Sequence, residues 1–479
     1  MTDSQSRGPK RAARPISARL PVLSLPITDV GAELLAIVAL IPLFLHAALW
    51  NHFPFVFYDT GAYILEGLGR VLVPERSSVY SLFLRYAGAR QSLWLVALAQ
   101  SGIAAFTVTE FARAVRRHTK LWELLLIGLF LAYFSSIAWF VGQIEPDFLT
   151  AILPLAYYPL AFRAERVGWV RGVPLVCIAA FATGGHPSHL GLSAGLIICI
   201  AVYKIGRWLL RRRMELPSAN LILPVLSFVL GLALVYAANY SLMHKLFVSR
   251  AGMTFLTARL MGDGIVKPTL DDICPTRHLK LCAYKDHLPA TADNFLWGSE
   301  SPFNRLGRFK DTDQEYQIIA EESLKHYPWR SFTTGLYQSV RQFGMFRTGD
   351  GVFPQEWVLS PEFRNFMPKQ TPDYLKARQQ RGTLRFIDVN VVHYTLAVLA
   401  VFWLCFELWR VLRRREWGKA TLPAFIFLAL LGNALVCGMF SGPHDRYQAR
   451  LIWVVPFVLL LTARPRLHAA LRRPVESGT

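Results

Sequence analysis

The sequence is short of charge and shorter still of acid: only 18% of its 479 residues are charged, with 32 acids against 52 Lys and Arg. With 53% hydrophobic residues and a mean hydropathy of +0.31, it is too apolar for a soluble protein of several domains. It reads instead as a polytopic membrane protein. It lacks a nucleophile elbow, a Walker loop, a dinucleotide glycine fingerprint and a His-Glu-x-x-His motif, which leaves soluble nucleotide chemistry without support. No small-residue cleavage site follows the basic residues 1–30, so they read as a disordered tail before an uncleaved first span. Cysteines number only six. Cys177, Cys199, Cys405 and Cys437 lie in apolar runs and read as small buried side chains. Cys274 and Cys282 lie in a polar segment; their spacing fits a disulfide in an oxidising compartment, whereas zinc needs more ligands than the segment offers. No internal repeat is clear enough to argue for a transporter built from inverted halves.

What is present is arginine, in six clusters between apolar stretches. They are Arg7, Lys10, Arg11, Arg14 and Arg19; Arg113, Arg116, Arg117 and Lys120; Arg163, Arg166 and Arg171; Lys204, Arg207, Arg211, Arg212 and Arg213; Arg410, Arg413, Arg414, Arg415 and Lys419; and Arg464, Arg466, Arg472 and Arg473. Lys and Arg in short loops mark the cytoplasmic side. Because the basic residues punctuate the spans rather than form one basic domain, the net charge of +20 is topological, with lipid headgroups a secondary partner and nucleic acid none.

A span needs about 20 apolar residues, fewer when buried among other helices. The runs at 31–49, 92–112, 121–141, 148–163, 172–184, 189–206, 221–243, 391–412, 421–440 and 448–463 give about ten. That even count puts both termini on the cytoplasmic side. The expected architecture is all-α and polytopic: a tail at 1–30; a transmembrane module at 31–243 of about seven helices with an outer loop at 50–91; a mixed outer-face domain at 244–390; about three further helices at 391–463; and a tail at 464–479. Helical patterns fall at 314–327 and 331–343, whereas 350–372 reads as loop. In the first outer loop, residues 79–87 suit an interfacial helix. Arg70, Arg76, Arg85 and Arg90 there break the charge rule, either snorkelling to headgroups or binding a phosphate.

Every unusual polar motif falls opposite the arginine clusters. Asp59 sits in an aromatic setting, where partial desolvation suits a carboxylate to take a proton; it also suits capping a helix from Thr60. Glu145 and Asp147 flank Pro146, beside the Gln143 amide. They can orient an acceptor, hold a divalent cation with Asp59, or favour the start of the next helix through its dipole. His186 and His189 sit in a Gly-Gly-His-Pro-Ser-His turn, too few for a metal site on their own. His444, Asp445, Arg446 and Arg450 gather before the last span, where arginine needs an anion, either an internal acid or a phosphate.

Three stretches resemble the polyprenyl-phosphate-dependent membrane glycosyltransferases of the C-type superfold, which include protein mannosyltransferases and aminoarabinose transferases. They are Asp59-Thr-Gly-Ala-Tyr63 with Pro74 and the Ser78–Leu84 run behind it; Glu145 and Asp147 after the third span; and Asp445-Arg446-Tyr447 leading through Leu451 to Pro456. The resemblance implies a transferase that moves a sugar from a polyprenyl-phosphate donor to an acceptor hydroxyl on the outer or lumenal face; the Arg-, Ala- and Leu-rich composition points to a bacterial inner membrane, and so to its periplasmic face. On that resemblance Asp59 is the base, Glu145 or Asp147 the acceptor-orienting or metal-associated acid, and Arg446 a phosphate contact; Tyr63, His186, His189, His444, Asp445 and Arg450 complete the candidate substrate site. The family's second first-loop acid is missing here, since Thr60 follows Asp59. A polymerase or ligase of lipid-linked glycans, a transporter or flippase, and a scaffold of envelope assembly are the competing readings.

Overall fold

The computed structural model describes residues 21–210, 216–310 and 313–463. Of the expected tails, residues 1–20 and 464–479 lie outside the described residues, as do Arg211, Arg212 and Arg213. The first module contains α1 (Val30–Asn51), α2 (Tyr58–Gly69), α3 (Ser78–Tyr86), α4 (Leu93–Val115), α5 (Leu121–Phe134), α6 (Ile137–Val141), α7 (Leu149–Phe162), α8 (Ala164–Gly184), α9 (Pro187–Leu210) and α10 (Ile222–Met243). Between 244 and 385 come α11 (Gly252–Gly262), α12 (Val266–Ile273), α13 (Ala292–Trp297), α14 (Pro302–Arg305), α15 (Asp313–His326), α16 (Pro328–Gly344), α17 (Glu356–Phe366) and α18 (Thr371–Lys376). The chain closes with α19 (Phe386–Arg413), α20 (Trp417–Phe440), α21 (Arg446–Ile452) and α22 (Val454–Thr462). Among the described residues there is no β-strand, so the segment expected to be mixed is helical too.

Among the described residues, seven helices, α1, α4, α8, α9, α10, α19 and α20, are long and apolar enough to cross a membrane, which makes this an integral membrane protein. The other apolar runs are shorter or broken, for local reasons. The run at 121–141 divides where the Ser135 hydroxyl donates back to Leu131 O at 2.6 Å, and α6 starts beyond Ser136. The run at 148–163 becomes α7, a helix with every residue buried; its Pro154 and Pro159 remove backbone donors inside the bundle. The run at 448–463 is shared by α21 and α22, which meet at Trp453. Two cysteines depart from the sequence reading: Cys177 on α8 and Cys405 on α19 are exposed, turned outward from two spanning helices.

The main core gathers α1, α4, α5, α7 and α8, and extends through Leu359 and Phe363 of α17. A second core, from Ala251 to Ala320, organises the 244–390 segment, and Cys274 and Cys282 are joined there by a disulfide with Cα atoms 5.8 Å apart. Helix α17 occupies part of the stretch read as loop. Pro354 and Pro361 obscure its pattern, yet it forms because its apolar face finds a partner: Phe363 stacks on Tyr374 at 4.1 Å, and Leu359 lies on the α2 backbone at Gly61. A Cβ at Gly61 would meet that Leu359 side chain at 2.8 Å.

Glu66 of α2 is fully buried, and hydrogen-bond bookkeeping defines its charge. Ser78 Oγ lies 2.9 Å from Glu66 Oε1 and 2.8 Å from Asn239 Oδ1. Asn239 Nδ2 donates to Phe247 O at 2.7 Å, so Oδ1 is the acceptor and takes the single Ser78 proton. A protonated Glu66 supplies the other hydrogen. Burial pushes its carboxyl up to about 7, against the pull of the Ser81 hydroxyl and the Val73 N–H that donate to it. A folded pKa above the unfolded one stabilises the fold below the unfolded value of 4.5, and the contribution is lost as pH rises through about 7. We expect the melting temperature in detergent to fall between about pH 5 and pH 8, by a stability loss on the order of 3 kcal/mol. Glu66→Gln, which keeps a donor for Ser78, should flatten that fall; an unchanged pH profile in the variant would refute the assignment.

Candidate active site

The acids and arginines are brought together by a short backbone bridge. Phe55 N donates to Gly142 O, and Ile144 N to Phe55 O, both at 2.9 Å, so the segment after α1 lies beside the segment after α6. Gln379 clamps the first of these from the far end of the sequence: its Nε2 donates to Val56 O at 2.7 Å and its Oε1 accepts from Val56 N at 3.1 Å. Gln100 Nε2 fixes the second by donating to Val141 O and Gln143 O at 2.9 and 2.8 Å, and Tyr80 holds Gln100 Oε1 at 2.6 Å.

Helix α2 then begins at Tyr58, with Phe57 as N-cap. Asp59 is therefore inside the first turn and caps nothing, a correction to the capping alternative; Thr60 Oγ1 instead accepts from Phe57 N at 2.9 Å. The Thr60 hydroxyl also lies 3.0 Å from Glu145 Oε1. Asp59 Oδ1 meets Arg76 at 2.5 Å, and Oδ2 is 3.7 Å from Arg446. Arg446 continues to Asp147 Oδ2 at 3.8 Å, and Asp147 Oδ1 takes Arg450 at 2.5 Å. Arg450 donates onward to Ser188 Oγ at 3.1 Å, and Ser188 lies 2.8 Å from His186 Nδ1. One continuous chain of charges thus links α2, the turn before α7, the turn before α9 and α21.

Its electrostatics are uneven. Burial drives the Glu145 carboxyl well above the ordinary range, and neighbouring Asp59 and Asp147 push the same way against the pull of Arg446 and Arg76. Burial also opposes ionisation of Asp147, but Arg450 and Arg446 outweigh it and hold that carboxyl below its usual value. Burial, with the nearby charges of Arg450 and Arg446, holds the His186 imidazole well below its usual range. Three guanidiniums, of Arg76, Arg446 and Arg450, meet the carboxylates of Asp59 and Asp147, and burial resists a charge on the third acid, Glu145. Arg76 Nε and Arg450 Nε are buried without a hydrogen-bond partner, leaving donors free for an anion. Arg446 is also stacked over Phe57 at 4.2 Å, which fixes its plane.

The remaining candidates lie around this chain rather than in it. His189 Nδ1 donates to Ala182 O at 2.8 Å, which makes Nε2 an acceptor for the Thr150 hydroxyl at 2.7 Å; the ring is held for structure. Tyr63 is buried edge-on to Tyr80, with ring centroids 4.9 Å apart. His444 turns to Asp293 and Asp350 at 3.4 and 3.8 Å, and Asp445 accepts from Arg347 N at 2.8 Å, so both face the 244–390 segment. The Cys274–Cys282 disulfide belongs to that segment's own core. Among the described residues, no three His, Cys, Asp or Glu side chains gather into a metal-ligand group, and Asp59 and Asp147 each turn to guanidiniums. Of the irregular arginines in the first loop, Arg70 donates to Ser241 O at 2.8 Å and Arg85 to Gly67 O at 3.2 Å, whereas Arg76 enters the site.

Fold and site together define a polytopic helical membrane protein with a buried acid–arginine chain at one end of its bundle. No family description, curated protein or solved structure matches it.

Proposed function

We propose that the protein is a membrane glycosyltransferase that takes a sugar from a polyprenyl-phosphate donor and passes it to a hydroxyl of a glycan, lipid or protein at the periplasmic face of a bacterial inner membrane. On this reading the chain has the C-type architecture, with about ten spans once the buried α7, the broken α5–α6 pair and the α21–α22 pair are counted as crossings. Both termini are then cytoplasmic. The single observation that carries the proposal is Arg446, placed between Asp59 and Asp147 with an excess of guanidinium around it. That arrangement suits an anion beside a base.

The chemistry follows from the ion pairs. The donor phosphate draws Arg76 and Arg446 toward its oxygens, because guanidinium forks match phosphate geometry. Asp59, released from Arg76 and Arg446, is free to act as the base. It accepts the acceptor's hydroxyl proton as the new glycosidic bond forms at the anomeric carbon. The bond from that carbon to the phosphate oxygen breaks, its electron pair leaves with polyprenyl phosphate, and the arginines stabilise the departing charge. Asp147, locked to Arg450, holds Arg446 in register, and Glu145 holds Thr60 and the acceptor side of the site.

Phosphate recognition is testable without knowing the sugar. Decaprenyl monophosphate should raise the melting temperature of the purified protein, by about 2.7 kcal/mol of stability at a hundredfold excess over its dissociation constant. Arg446→Gln should lose most of that shift. If decaprenol without phosphate stabilises wild type equally, the phosphate reading is wrong.

A further inference from the structure

We propose that α16, in the segment whose sequence reads as an aqueous domain, is a membrane-seated helix whose apolar face contacts lipid acyl chains in the leaflet nearest the site. This inference rests on surface chemistry and stands apart from the transferase reading.

Helix α16 has three distinct sectors. Its small residues Ser331, Gly335 and Ser339, with Gln342, are buried. They face α20 and Arg259 of α11: Ser339 lies so close to Gly438 that a Cβ on that glycine would meet its backbone at 2.5 Å, a Cβ on Gly335 would meet the Arg259 guanidinium and then Met439 at 3.2 Å, and Arg259 donates to Ser331 O at 2.9 Å. Adjoining this sector, Trp329, Phe332, Leu336 and Val340 project from one helical face at steps of three and four. All four are exposed, Trp329 at 73% and Val340 at 68%. The polar sector, with Arg330, Thr334 and Arg341, lies on the other side. Water on both exposed sectors would leave this apolar row without a reason, whereas a bilayer supplies one.

Two contacts seat α16 against the spanning helices, which favours lipid as the occupant. Phe343, near the end of α16, meets Phe427 in α20 with ring centroids 6.1 Å apart, and Tyr394 of α19 donates to Gly344 O at 3.3 Å. Both partners sit within helices long and apolar enough to span. Leu428 and Leu435 of α20 are exposed as well. The same helix touches the arginine segment: Gln342 Nε2 donates to His444 O at 2.8 Å and Gln342 Oε1 accepts from His444 N at 2.9 Å, two residues before Arg446. Its seat in the bilayer thereby fixes the depth of that segment.

Site-directed spin labelling tests the placement in the full chain reconstituted in phosphatidylcholine–phosphatidylglycerol vesicles. Cys177, Cys199 and Cys405 are replaced by alanine, the buried Cys437 and the disulfide are kept, and single labels are introduced by Phe332→Cys, Leu336→Cys or Val340→Cys, and for comparison by Arg330→Cys, Thr334→Cys or Arg341→Cys. The first three labels should relax at least threefold more with oxygen than with a water-soluble nickel chelate, and the second three should show the opposite preference. Preferential relaxation by nickel at 336 and 340 would overturn the proposal, as would shielding of those labels from both reagents, which would mean that protein covers the face. Three independent positions keep the test decisive if one variant fails to fold.

Discussion

Asp59→Asn should slow sugar transfer by about 10²- to 10⁴-fold, the range that a positioned general base contributes. The asparagine keeps an oxygen acceptor for Arg76, which is 2.5 Å away in the native pair, so the local fold retains a hydrogen bond while the basic site is lost. Monodispersity on size-exclusion chromatography, compared with wild type, separates lost chemistry from lost protein. Asp59→Glu is the companion variant: it restores a carboxylate and should recover part of the rate. Wild-type transfer in a well-folded Asp59→Asn protein would remove Asp59 from the mechanism.

The largest stability effect is expected at Arg450. Its side chain is fully buried and its guanidinium is 2.5 Å from Asp147, itself only 2% exposed. Arg450→Met leaves a buried carboxylate whose nearest remaining cation is Arg446 at 3.8 Å. Removing one partner of a buried pair costs about 3–5 kcal/mol, because the remaining charge is uncompensated. The double variant Asp147→Asn with Arg450→Met should recover most of this loss, since no unpaired charge remains. Thermal unfolding of the single and double variants measures the difference. A double variant no more stable than Arg450→Met would show that Arg450 acts through its contacts with Ser188 and Asn433 instead.

How much was legible in the sequence depended on the range of the interaction. Apolar runs such as those of α1, α4 and α20 are local patterns and read directly as helices of spanning length. The arginine clusters sorted Asp59, Glu145, Asp147, Arg446 and Arg450 to one side, and the structure joins these five through ion pairs and Thr60. What the sequence does not carry is the choice of partner. Arg76 looked like one of four irregular arginines, and only the fold turns it rather than Arg70 or Arg85 toward Asp59. Gln379 carries no motif, yet it anchors Val56 from 323 positions away. Helix α17 is similar: two prolines hide its period, and packing on α2 rescues it. Of the four cysteines in apolar runs, Cys437 is buried as expected, whereas Cys177 and Cys405 are not, because a spanning helix has no polar exterior and an outward thiol meets lipid as comfortably as core.

On the proposed function, the acid–arginine chain discharges a polyprenyl-phosphate sugar. The most direct measurement mixes the purified protein with the lipid-linked sugars extracted from its source membranes, radiolabelled in the sugar, together with those membranes' acceptor fraction, and follows label leaving the chloroform–methanol phase. Wild type should convert polyprenyl-phosphate sugar to free polyprenyl phosphate and labelled acceptor, with Asp59→Asn at least a hundredfold slower. Label that stays on the lipid with wild type, or leaves it equally fast with both proteins, would contradict the proposed function.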